Sequence, residues 1–269
     1  MKFTPKNIQK LKIAVYQSDG IGFSVVFLHA SSIGAASFYK QMMSKEGEKL
    51  RFISIDMPGH GASDFSFNPQ KFYNFNKLSE LMIETIESLE LEKFVLVGHF
   101  LGAHIALNIS QKLKNISGVI LQGFSPLQDY SRIEDAYKIN EVSELLFKGK
   151  LDGEQAARLA QIFVSKDAAA DISFVDNIKN TDPNFRKYLA ESFKTVKQND
   201  IDLIKENKVP ISIILGEKDR IVKQEKLEEI KSHLWREKVQ IISDSGNSPM
   251  WENPKTFNFL IQEFINDLM

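Results

Sequence analysis

The chain of 269 residues contains no cysteine. That excludes disulfides, thiolate metal sites and a cysteine nucleophile, and it fits a reducing compartment without requiring one. Neither sign of charge is in excess, since 34 Lys and Arg stand against 35 Asp and Glu. Such a balance leaves no electrostatic footprint for nucleic acid or an anionic membrane surface. No run reaches the ~18 to 20 apolar residues of a membrane span, and the start at Met1 lacks the apolar core of a signal peptide. A cytoplasmic protein is the expectation. Histidine is scarce: His29, His60, His99, His104 and His233 are all there is, and nothing follows His233. None stands in H-E-x-x-H spacing, and neither G-x-G-x-x-G nor a P-loop occurs, so no metal and no cofactor are expected.

What is present is alternation. Short apolar runs predict strands at Leu11–Gln17, Phe23–Leu28, Arg51–Asp56, Phe94–Val97 and Gly118–Leu121. Helices are predicted at Ser37–Met43, at Leu78–Leu89 with its apolar period, and from Leu101 onward. Between Ser125 and Asn207 the rhythm gives way to helical patterns alone. It resumes at Val209–Leu215, Lys223–Leu234, Lys238–Ile242 and Pro254–Leu268. The expectation is an α/β core, residues 1–124 and 208–269, with a mostly parallel sheet flanked by helices and a helical cap inserted at 125–207. A small-molecule ligand is expected between core and cap, at the carboxyl ends of the strands. The sequence leaves the oligomeric state open.

One turn carries the chemical argument. In Val97-Gly98-His99-Phe100-Leu101-Gly102-Ala103 a strand passes into a helix between glycines four apart. This is the frame in which G-x-S-x-G presents a serine to a pocket. Its middle residue is Phe100, and no glycine in the chain has a serine two residues on and a glycine four on. Other stretches fit the same frame: His29-Ala30-Ser31, Asp56-Met57-Pro58-Gly59-His60-Gly61-Ala62-Ser63, Leu215-Gly216-Glu217-Lys218-Asp219, and the loop from Asp244 to Pro254. In order and spacing these motifs resemble the α/β-hydrolase superfamily, specifically its bacterial cap-bearing ester and acyl hydrolases.

The resemblance implies a Ser, Asp and His triad at Phe100, Asp219 and Asn247, so the nucleophile and base positions are both substituted. It also implies backbone oxyanion donors at Ser31 and Leu101, and loop-packing roles for His29 and His99. An amide is neither appreciably basic nor acidic, so Asn247 cannot cycle a proton, although it can donate to Asp219. Phe100 would either floor a ligand pocket or fill it. Ser31, Ser32, Ser125 and Ser248 remain as substitute nucleophiles, with only His29 or His99 as partners. His104, one helical turn beyond Phe100, reads as a satisfied helix residue. The expected protein is an ester or acyl hydrolase relative without its triad. The alternatives are a ligand-binding or sensor protein, or an enzyme using non-serine chemistry in the same cleft.

Overall fold

The computed structural model describes all 269 residues. Ten strands form in chain order: β1 (Lys2–Phe3), β2 (Lys6–Ile8), β3 (Leu11–Ile13), β4 (Val15–Gln17), β5 (Ser24–Leu28), β6 (Arg51–Ile55), β7 (Phe94–His99), β8 (Ile116–Gln122), β9 (Ile211–Gly216) and β10 (Gln240–Ile242). Eight of them build one sheet in the order β1-β4-β6-β5-β7-β8-β9-β10. From β6 to β10 every pairing is parallel, whereas β4 and β1 join antiparallel at one edge. Every residue of β5, β7 and β9 is buried, as helices on both faces require. Register aligns Leu28 with Ile55 and Gly98, and His99 with Gln122, so the carboxyl ends of the central strands are level.

Two expectations need correction. The run Leu11–Gln17 is not one strand. At Ala14 the backbone N–H is diverted to Ser63 Oγ, 2.8 Å away. The chain therefore splits into β3, which pairs with β2, and β4, which joins the large sheet. Lys223–Leu234 forms a 3-10 helix, Glu225–His233, in which Leu227 and Ile230 are the buried residues. A spacing of three suits three residues per turn.

Between β8 and β9 there is no strand. The segment holds α-helices at Gly153–Ile162, Ile172–Asn180, Pro183–Phe193 and Asp200–Lys205, preceded by short 3-10 turns. Their starts are written locally: Asp152 and Gln155 form a capping box, and Asp171, Asp182 and Asn199 each accept from a first-turn N–H. The two ends of this segment are tied together. Leu127 N–H donates to Asp200 Oδ2 at 2.9 Å, and Asp200 N–H donates to Leu127 O at 2.8 Å. No helix is long and apolar enough to cross a membrane.

Candidate functional site at the elbow

The sharp turn after β7 rests on two close approaches. A Cβ on Gly98 would lie 2.2 Å from Gly102 O, and one on Gly102 would lie 2.2 Å from Leu28 O. Only glycine lets the helix Leu101–Ser110 settle this tightly on the strands. Between them Phe100 holds φ 51° and ψ −108°, a conformation that costs a non-glycine residue about 1–3 kcal/mol. Its N–H is anchored on Gln122 O at 2.9 Å. The strained turn persists around a residue that cannot attack a carbonyl.

The Phe100 ring is 7% exposed. Its edge-to-face partners are Tyr137, with centroids 4.9 Å apart, and Phe163 at 6.2 Å. The cavity beside it measures about 30 Å³ and is bordered by Ser31, Leu101, His104, Tyr137, Arg186 and apolar side chains of the helical segment. With ~10–15 Å³ as the least space one water needs, the cavity as it stands has room for one or two waters. Phe100 is packed among aromatic side chains and borders only this small cavity. Ser31 and Leu101, the expected oxyanion donors, both border the cavity.

Asp219 and Asn247 meet behind the turn. Asn247 Nδ2 donates to Asp219 Oδ2 at 2.9 Å, while Asp219 Oδ1 accepts from the N–H groups of Ile221 and Val222 at 2.8 and 3.1 Å. Burial raises the Asp219 pKa above the usual carboxylate value, against these three donors. The other end of the amide is also engaged, because Asn247 Oδ1 lies 2.8 Å from His99 Nε2. An acceptor there fixes the His99 proton on Nε2. Burial pushes His99 down to about 4, so the ring is neutral, and its Nδ1 has no partner. The row Asp219–Asn247–His99 thus ends at the unpartnered Nδ1 of a fully buried ring, and none of its three side chains borders the cavity.

The remaining histidines separate into two kinds. His29 Nε2 accepts from Met57 N–H and His60 Nε2 from Ser32 N–H, each at 2.9 Å. Burial lowers both rings, His60 further than His29, so they act as neutral loop pins. None of the candidate serine hydroxyls reaches an imidazole: Ser31 Oγ faces Ser32 Oγ, Ser125 Oγ donates to Lys223 O, and Ser248 Oγ is unpaired. His29 and His99, expected as their partners, are committed elsewhere. His104 is the exception. Its Nδ1 lies 2.8 Å from Asp200 Oδ2 and its Nε2 lies 2.6 Å from Tyr137 Oη, at the edge of the cavity.

Sequence reasoning missed this cluster as a site. The one legible signal was the position of His104 in the first turn of the helix that follows Phe100. Asp200 and Tyr137 come from the helical segment, and no motif marks them. Arg186, almost fully buried, spends its guanidinium on Lys148 O, Gly149 O, Ile178 O and Ser32 Oγ, and burial lowers it to about 10. No group of three or more His, Asp or Glu side chains is placed to hold a metal ion.

Known proteins share this arrangement of elements. The chain is 24% identical to the AB hydrolase superfamily protein YisY of Bacillus subtilis, covering 92% of this chain and 93% of that protein. It is 23% identical to the 2-hydroxy-6-oxononadienedioate/2-hydroxy-6-oxononatrienedioate hydrolase of Escherichia coli, covering 90% and 86%. Among solved structures, the N-acyl homoserine lactonase AidH complexed with N-butanoyl homoserine superposes with a TM-score of 0.93 at 24% identity, over 100% of this chain and 98% of that one. These likenesses carry the fold. Residues 25–258 match the alpha/beta hydrolase family over most of the sequence, and the chain belongs to that family.

Proposed function

We propose that this protein binds a small carbonyl compound in the cavity beside Phe100 and does not process it by serine–histidine acyl chemistry. The observation that carries this reading is the row Asp219–Asn247–His99 beside a buried phenyl ring. Acyl hydrolysis on this fold needs a hydroxyl to attack and an imidazole to take and return its proton. The first position holds a hydrocarbon, and the second an amide with both ends hydrogen-bonded. What remains is the binding half of the site: the backbone N–H groups of Ser31 and Leu101, two residues that border the cavity, are suited to a carbonyl oxygen. The names of the relatives, an oxo-dioate hydrolase and an acyl homoserine lactonase, support a carbonyl-bearing ligand class.

The test is a serine-directed fluorophosphonate probe together with a panel of short activated esters. We expect no labelled serine and only trace turnover, since loss of nucleophile or base costs about a millionfold in a serine protease. Stoichiometric labelling of any serine would overturn the reading and identify the nucleophile. A small ketone should in turn raise the melting temperature, as any ligand selective for the native state does.

A further inference from the structure

Asp200, His104 and Tyr137 form a hydrogen-bonded chain that ends on the same cavity and takes no part in the dismantled elbow. Asp200 Oδ1 accepts from Tyr130 Oη at 2.9 Å and Gln198 Nε2 at 2.6 Å. Its Oδ2 accepts from Leu127 N–H at 2.9 Å and from His104 Nδ1 at 2.8 Å. A carboxylate surrounded by four donors is held as the acceptor, so the shared proton resides on His104 Nδ1. The lone pair of Nε2 then faces Tyr137 Oη, 2.6 Å away, and the hydroxyl donates to it. Ser125 N–H approaches the same hydroxyl at 3.3 Å. A hydroxyl paired with an imidazole, itself oriented by a buried carboxylate, has the geometry of an acid–base relay. Burial keeps the Tyr137 phenol far from ionising on its own, so its proton can leave only as His104 receives it.

We propose that Tyr137 is an acid–base catalyst for small ketones and aldehydes, exchanging a hydrogen on the carbon next to the carbonyl, with His104 as its proton acceptor and Asp200 as the positioning residue. The proposal rests on the reading of the cavity as a site for a small carbonyl ligand. In the step, Tyr137 Oη takes the proton from the α-carbon while its own proton passes to His104 Nε2. The C–H electron pair becomes the C=C bond of an enolate, and the carbonyl π pair moves to oxygen. That oxygen faces the N–H groups of Ser31 and Leu101, while the imidazolium faces Asp200. The imidazolium N–H then trades its proton with water, and return along the same route rebuilds the ketone with a solvent hydrogen on the α-carbon. Nothing is oxidised and no co-reactant is needed. At about 30 Å³ the cavity admits the smallest ketones only as its bordering side chains give way.

The experiment follows α-hydrogen exchange of acetone and butanone in D2O by proton NMR. Wild type is compared with Tyr137→Phe, His104→Gln and Asp200→Asn, each checked for fold by circular dichroism. General acid–base groups contribute about a hundredfold or more, and Tyr137→Phe should lose a factor of that size, with His104→Gln equally slow. Asp200→Asn should also be slow and should lose the low-field Nδ1–H resonance of His104, which Tyr137→Phe retains. Should Asp200→Asn fail to fold, Tyr137→Phe still decides, because it removes one oxygen atom and keeps the ring contact with Phe100. Equal rates in wild type and Tyr137→Phe overturn the proposal. Saturation-transfer contact between ketone and protein separates the two readings: contact without exchange overturns only the acid–base role, and absence of contact overturns both.

Discussion

At the scale of single residues, the proposed reading makes Phe100 and Asn247 stand where a nucleophile and a base would act. Phe100 still holds the strained φ of 51°, and Asn247 still donates to the Asp219 carboxylate. The pair Phe100→Ser and Asn247→His should therefore restore measurable acyl hydrolysis, whereas neither change alone should. Serine alone meets no base, and histidine alone meets no hydroxyl. Residues that act as a unit are strongly non-additive, so the gain should come only with both. Steady-state turnover of a short-chain ester panel by both single variants and the double variant checks this. A folded double variant whose introduced hydroxyl is accessible, yet which shows no turnover, would mean that the pocket has drifted beyond repair by two changes. The absence of a G-x-S-x-G serine and of any histidine after His233 is legible in the sequence, because both can be counted. The double engagement of the Asn247 amide is not, since its second partner, His99, lies 148 positions away in the chain.

At the scale of elements, the turn between β7 and the helix Leu101–Ser110 depends on backbone contact. Gly98→Ala and Gly102→Ala each place a Cβ 2.2 Å from a carbonyl oxygen, and each should destabilise the fold by about 3 kcal/mol, at the upper end of overpacking costs. Gly153 starts its helix with open space, nothing within 4 Å, where a Cβ would stand, so Gly153→Ala should be neutral or slightly stabilising. Urea unfolding of the three variants makes the comparison, and equal midpoints would refute the close-packed turn. Strand positions from β5 to β9 can be read from sequence because buried parallel strands are near-continuous apolar runs. The split at Ala14 is hidden because it depends on Ser63, a partner distant in sequence. The relay is hidden for the same reason. His104 sits on a core helix, while Asp200 and Tyr137 arrive from the inserted segment.

At the scale of the whole molecule, three buried neutral histidines make stability depend on pH. His99 falls from 6.5 to about 4 on folding, and His29 and His60 shift in the same direction. The unfolded chain then binds protons that the native state does not. The contribution of His99, about 3 kcal/mol, is complete above pH 6.5 and is lost as the pH falls through about 4. Asp219 acts in the opposite sense, because its raised value means that the unfolded chain ionises first as the pH rises above 3.8. Comparing wild type with His99→Gln isolates the histidine, since glutamine can keep a donor toward Asn247. The urea midpoint of the variant should decline less steeply between pH 6.5 and 4, and an unchanged slope would count against the neutral ring.

Asp200 belongs to two structures at once. It closes the helical segment by exchanging hydrogen bonds with Leu127 in both directions, and through the same Oδ2 it holds the His104 ring in place. A latch and a trigger guard therefore share one oxygen atom. Any displacement of the Asp200 carboxylate disturbs the closure of the segment and the orientation of the imidazole together.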